Sequence, residues 1–153
     1  MGTLAYYLAL PFLHGIALLP MRILYGLSDL LFVLVFHLVR YRRKVVRTNL
    51  RNSFPEKDAR ELATIERHFY RWFGDLVLET LKTLHITPAL VDRLVQVEGT
   101  DVLRRYKEKG RSIIIVMGHW GNWELGGARF ATLGLHQLNV IYHPLHDRHF
   151  NDL

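Results

Sequence analysis

The heptapeptide Gly118-His119-Trp120-Gly121-Asn122-Trp123-Glu124 sets an imidazole and a carboxylate five positions apart, between an apolar run and an amphipathic one. On one continuous helix, five steps would turn the two side chains about 140° apart. If His119 precedes the helix, however, the turn that Gly118 and Gly121 permit can bring Glu124 round to face the ring. A carboxylate that accepts from one ring nitrogen sets the tautomer and leaves the other nitrogen free to act as a general base toward a hydroxyl.

Other chemistries are excluded by composition. The chain has no cysteine, which removes disulfides, thiolate zinc sites and thiol nucleophiles. Its serines, Ser28, Ser53 and Ser112, stand outside any Gly-x-Ser-x-Gly elbow, so a serine-hydrolase mechanism is not expected. His143, His146 and His149 recur every third position beside Asp147, but Pro144 interrupts any helix that would align them, and no metal is expected.

A strand and a helix must hold the His/Glu pair in place. Ser112 to Val116 reads as a buried strand of Ile and Val, residues 118–121 as a turn, and Asn122 to Thr132 as a helix stopped by Gly134. Leu138 to Tyr142 reads as the next strand. Val95 to Glu98 is an earlier short strand, followed by a charged helix from Thr100 that Gly110 closes. This alternation predicts an α/β fold with a mostly parallel sheet covered by helices. In such sheets ligands sit beyond the carboxyl ends of the strands, where a helix N-terminus offers free N–H groups, and His119 and Glu124 fall there.

Upstream, Ser53-Phe54-Pro55-Glu56 has the form of a capping box with proline in the first turn, so a helix is expected to begin there. Its stripe of Leu62, Ile65, Phe69, Phe73, Leu76, Val77, Leu81 and Leu84 has helical spacing, with Gly74 as its weak point. Thr87-Pro88 caps a second, short helix. Arg129 is read as a solvated residue, with a phosphate contact as the alternative.

Charge is unevenly distributed. The net +6 lies wholly in the first sixty residues, because acids and bases cancel beyond them. Arg40, Arg42, Arg43, Lys44, Arg47 and Arg51 form a basic block without an acid, directly after an apolar segment from Leu4 to Val39. That segment divides into Leu4 to Met21 and Ile23 to Val39. Each piece is close to the roughly 20 residues of a perpendicular span, and the lengths are compatible with spanning, interfacial or re-entrant placement. No basic region precedes the apolar run and no small-residue cleavage site follows it, which argues against a secretory signal. Tyr6 stands where a myristoylation signal needs Ser or Thr. The six basic residues are assigned to an anionic lipid surface, and the absence of base-reading side chains among them argues against nucleic acid.

With these residues in view, the chain resembles the bacterial lipid A biosynthesis acyltransferases, the late lauroyl/myristoyl transferases within the wider glycerolipid acyltransferase-like group. The likeness rests on the apolar N-terminus, the run Tyr41 to Pro55, the Gly-His-Trp-Gly-Asn-Trp-Glu block and the segment Val140 to Leu145, in family order and spacing. It implies N-terminal hydrophobic, membrane-associating helices over 1–39, and over 40–153 the N-terminal part of an αβ-sandwich acyltransferase domain belonging to a longer protein. It implies that His119 deprotonates an acceptor hydroxyl, which attacks an acyl thioester, while Glu124 orients the imidazole. Asn122, Trp123, Tyr142, His143 and Pro144 are then substrate contacts, although the family usually carries Arg where this chain has His143.

The expected reaction is O-acylation of a lipid A-type glycolipid precursor at the cytoplasmic face of the inner membrane. It needs no cofactor; its co-substrate is a thioester of acyl carrier protein or coenzyme A, and its partners are membrane lipid and acyl carrier protein. Two other readings fit the same residues: a lysophospholipid or aminolipid acyltransferase using the same dyad, and a noncatalytic membrane-bound adaptor.

Overall fold

A computed structural model of the protein describes residues 3–141. Seven α-helices follow one another among the described residues: α1 Thr3–Leu18, α2 Met21–Phe32, α3 Arg43–Ser53, α4 Ala59–Lys82, α5 Pro88–Leu94, α6 Thr100–Glu108 and α7 Trp123–Thr132. α2 runs on as a π-helical segment, Val33–Val39, and α4 ends in a 3-10 turn, Thr83–His85.

The apolar N-terminus divides at Pro20, whose missing N–H and extended ψ separate α1 from α2. Pro11 remains inside α1. Met21–Val39 is a helix of 19 residues, long and apolar enough to cross a membrane. Its π-helical end closes on Arg40 in the left-handed region (φ 53°), and Arg42 (φ 51°) takes the same conformation before α3. Two non-glycine residues in that region within three positions make this a sharply turned corner.

The described chain forms two compact units. In the unit Leu19–Glu79, one face of α2 (Leu24, Ser28 and Phe32, continued by Phe36) is buried at four-residue spacing, and the core joins Phe32 and Phe36 to Tyr70, with Val35, Val46 and Phe69 packed around it. The Tyr70 hydroxyl donates to the Tyr41 carbonyl, which ties α4 to the corner before α3. The opposite face of the apolar helix leaves Ile23, Leu30, Leu34, Leu38 and Val39 exposed. That face is apolar and uncovered, as a lipid-facing surface would be.

Gly74 is more than a weak point in a stripe. A Cβ at this position would lie 2.9 Å from Ser28 Oγ and 3.1 Å from the Ser28 carbonyl oxygen, so its lack of a side chain lets α4 approach α2. The hydroxyl cannot swing away freely, because it donates to Asp75 Oδ1 at 2.6 Å. Alanine is the better helix former by about 1 kcal/mol. Here the clash outweighs that preference, and Gly74→Ala is expected to destabilise this unit by about 1 to 2 kcal/mol, read as a lowered melting temperature.

In the other unit, α1 packs on the Thr83–His85 turn. Buried Lys82 donates from Nζ to the Ala17 carbonyl at 2.8 Å, satisfying an acceptor in the last turn of α1. Nδ1 of His14 lies 2.8 Å from Nε2 of His85, with the two rings edge to face. α5 and α7 pack together in this unit, joined by Arg129 and Asp92 at 2.5 Å.

Two sequence expectations are corrected. The capping box at Ser53 does not form, since Ser53 is the last residue of α3. α4 is capped five residues later, where Asp58 Oδ1 accepts from the N–H groups of Arg60 and Glu61 at 2.8 Å and Glu61 Oε2 accepts from the Asp58 N–H at 3.0 Å. Aspartate with glutamate three residues on satisfies both ends of the box, and Pro55 stays in the turn between the helices.

The α/β sheet is the second correction: no strand forms among the described residues. The segments read as strands at Val95 to Glu98, Ser112 to Val116 and Leu138 onward are non-helical but unpaired. Ile114 and Val116 are about nine-tenths exposed, the reverse of a buried strand. A strand exists only as part of a hydrogen-bonded ladder, and apolar β-branched residues cannot supply the partner. The helical expectations agree with the structure: α4 carries the predicted stripe, Thr87 Oγ1 accepts from the Leu90 N–H ahead of α5, Gly110 ends the α6 region at φ 61°, and Gly134 follows α7 at φ 65°.

Candidate active site

The turn before α7 is built as its glycines allow. The Trp120 N–H donates to the Gly118 carbonyl at 2.8 Å, and Gly121 takes φ 63°, a conformation that a side chain would disfavour. Asn122 then caps α7, its Oδ1 accepting from the Leu125 N–H at 3.1 Å. Leu125 is buried and anchors the first turn of the helix.

His119 stands exposed on this turn. Its ring meets Trp123 edge to face, with centroids 5.0 Å apart and planes at 73°. Glu124 follows Trp123 in the first turn of α7, where a carboxylate is favoured by the helix dipole. It is half-buried, and its Oε2 is buried without a hydrogen-bond partner. The structure therefore brings His119 to Trp123 and leaves Glu124 an open acceptor at the head of the same helix, with no hydrogen bond joining imidazole and carboxylate. Tyr142, His143 and Pro144, and the histidines at 146 and 149, lie outside the described residues.

Arg129 is not solvated. Its side chain is largely buried, pairs with Asp92 of α5, and holds a buried Nε without a partner. It ties α7 to α5 and so helps fix the helix that carries Asn122, Trp123 and Glu124.

Of the six basic residues assigned to lipid, Arg40, Arg42, Lys44 and Arg51 are exposed on the corner and on α3. Arg43 and Arg47 turn toward Glu66 of α4. Nε of Arg43 donates to Glu66 Oε1 at 2.7 Å, and Nε of Arg47 donates to both carboxylate oxygens at 3.1 Å. The Arg43 guanidinium also lies 4.1 Å from the centroid of the Phe36 ring. Burial works to raise the Glu66 pKa, but the bonds from Arg43 and Arg47 outweigh it and hold the carboxyl below its ordinary value. Sequence reasoning missed this clamp. Its signal was an acid at position 66, in register with Leu62 and Tyr70 on an apolar stripe, facing two arginines four residues apart.

The described residues thus set an apolar helical N-terminus before a basic corner, and a histidine-bearing turn before a capped helix. The sequence matches the family described as bacterial lipid A biosynthesis acyltransferase over residues 2–153, and the chain belongs to that family. Among curated proteins it is similar to the lipid A biosynthesis palmitoleoyltransferase of Escherichia coli (strain K12), at 28% identity over 127 residues, covering 82% of this chain and 40% of that protein. The lipid A biosynthesis acyltransferase of Shigella flexneri matches to the same extent. The chain thus matches well under half the length of these relatives. No solved structure matches it.

Proposed function

We propose that the whole protein moves a fatty acyl chain from an acyl thioester, carried by acyl carrier protein or coenzyme A, to a hydroxyl of a lipid A-type glycolipid precursor at the cytoplasmic face of the inner membrane. The observation that carries this reading is the family match over residues 2–153, which includes the His119/Glu124 block.

In this mechanism a ring nitrogen of His119 takes the proton of the acceptor hydroxyl, whose oxygen attacks the thioester carbonyl. A C–O bond forms, the C–S bond breaks, and the departing thiolate recovers the proton from the imidazolium. Glu124 orients the ring and supports its positive charge. The unpartnered Oε2 of Glu124, one residue beyond the tryptophan on which the His119 ring rests, supports this role. No acyl-enzyme and no cofactor is needed. Asn122, Trp123, Tyr142, His143 and Pro144 contact substrate.

In the same reading the apolar segments that the sequence offers as strands, Ser112 to Val116 and Leu138 to Tyr142, pair within an αβ sandwich in the whole protein. Helix Met21–Val39 anchors it, and the basic corner stays on the cytoplasmic side, where anionic lipid attracts it.

Mass spectrometry of lipids from cells with and without the gene tests the proposal. One acyl chain is expected to disappear from the lipid A-type glycolipid, with phospholipids unchanged. Loss from a phospholipid or aminolipid would assign the same pair a different acceptor. No change in any lipid would leave the adaptor reading.

A further inference from the structure

Within the unit Leu19–Glu79, α4 runs antiparallel to the apolar helix Met21–Val39 along most of its length. Glu79 accepts from the Tyr25 hydroxyl at 2.9 Å, and Asp75 from the Ser28 hydroxyl at 2.6 Å. Farther along, the Arg71 guanidinium lies 5.2 Å from the centroid of the Phe32 ring, Tyr70 meets Phe36 with centroids 5.4 Å apart, and Glu66 receives Arg43 just past the end of the apolar helix. The partners advance from Tyr25 to Arg43 as they recede from Glu79 to Glu66, a stretch of about 20 Å along α4.

This pairing decides where the apolar helix can sit. Upright in a bilayer, whose hydrocarbon is about 30 Å thick, it would draw that length of α4 in with it. Arg67, His68 and Arg71 stand exposed on α4, and ionisable side chains at membrane depth are costly unless they face a protein interior or a water-filled cavity. Asp29, exposed halfway along Met21–Val39, would lie near the midplane. It stands seven residues after Arg22, also exposed, so the two share one charged flank of the helix. Ile23, Leu30, Leu34 and Leu38 form a separate exposed face that is wholly apolar. Cations stand at both ends of that face, Arg22 at one and Arg40 with Lys44 at the other, which complements anionic headgroups at a single membrane surface.

We propose that Met21–Val39, although long enough to span, does not cross the bilayer: it lies along one leaflet, with Ile23, Leu30, Leu34 and Leu38 among the upper acyl chains, α4 toward water, and both helix ends at the same surface. Its occupant is thus the boundary between headgroups and acyl chains. The charged flank of Arg22 and Asp29 then lies at headgroup level, and no ionisable group of α4 enters hydrocarbon. The inference does not rest on the acyl-transfer reading, since it concerns the unit that holds the apolar helix and not the His119 turn.

The test uses the whole protein with single cysteines placed at exposed positions, any cysteine outside residues 1–153 having been replaced; residues 1–153 carry none. Arg22→Cys and Lys44→Cys flank the apolar helix, and in sealed inner-membrane vesicles both are expected to react with a membrane-impermeant maleimide from the same side. Reaction from opposite sides would show a spanning helix and overturn the proposal. Depth is read separately, from a bimane attached to Leu30→Cys in vesicles of brominated lipid. Bromine near the carbonyl end of the acyl chains is expected to quench it at least about twofold more than bromine near the methyl end, because an interfacial helix buries its apolar face only about 5 to 10 Å deep. Stronger quenching from the methyl end would place Leu30 at the midplane and overturn the proposal. Quenching by neither lipid would mean that protein or water covers this face, and would overturn it as well.

Discussion

Replacing His119 with alanine in the whole protein is expected to reduce acyl transfer at least about a hundredfold, with the melting temperature unchanged. The two halves of that expectation have separate grounds. His119 is exposed and touches only the edge or face of one tryptophan, so its truncation removes little packing. A positioned base contributes about 10² to 10⁴ in rate, and a hundredfold corresponds to about 2.7 kcal/mol of transition-state stabilisation. Glu124→Gln keeps the shape of the side chain and removes its charge, and is expected to lower the rate in the same direction, because the imidazolium loses its support. Turnover by the His119 variant equal to that of the parent would remove this residue from the mechanism, however well the protein fits its family.

The largest stability effect is expected at Glu66. Its side chain is 4% exposed, and Glu66→Ala would leave the guanidinium groups of Arg43 and Arg47 without their common acceptor. Loss of one partner of a fully buried pair costs about 3 to 5 kcal/mol. Here the side chains of Arg43 and Arg47 are 21% and 52% exposed and can turn back to water, so the expected cost falls to about 2 kcal/mol. Chemical denaturation in detergent measures it.

The pH dependence has a definite sign. Since the arginines hold the folded-state pKa of Glu66 below the ordinary 4.5, the folded state prefers the ionised form. That stability is fully present above about pH 4.5 and fades as the pH falls through the lowered value, where protonation breaks the clamp. Glu66→Gln should remove this acid-labile component. An unchanged stability profile between pH 3 and 6, in steps of about one unit, would mean that the ion pair contributes nothing.

Local patterns were legible wherever the physics is local. Thr87 before Pro88 announced α5, the stripe from Leu62 to Leu84 announced α4, and Asn122, Gly121 and Gly134 marked the ends and approach of α7, because caps and turns are satisfied by residues a few positions away. The misplaced start of α4 was a choice between two nearby boxes. Ser53 to Glu56 and Asp58 to Glu61 both have the right spacing, and the second forms because the chain is still completing α3 at Ser53.

The family was legible in the block from Gly118 to Glu124 and in the apolar and basic segments before it, and the match over residues 2–153 agrees. What sequence alone determined is therefore the kind of chain this is: its helices from α4 to α7, the caps of α5 and α7, the apolar helix and the order of its chemistry-bearing residues. Tertiary structure decided the relations that depend on distant partners. It turned Arg43 and Arg47 inward to Glu66, made Gly74 a contact point for Ser28, and set Arg129 against Asp92. It also left the Ile and Val of 112–116 unpaired. Helical hydrogen bonds close within four residues, so their residues suffice to specify them. A buried ion pair, a close helix crossing or a strand ladder needs a second segment brought there by the fold.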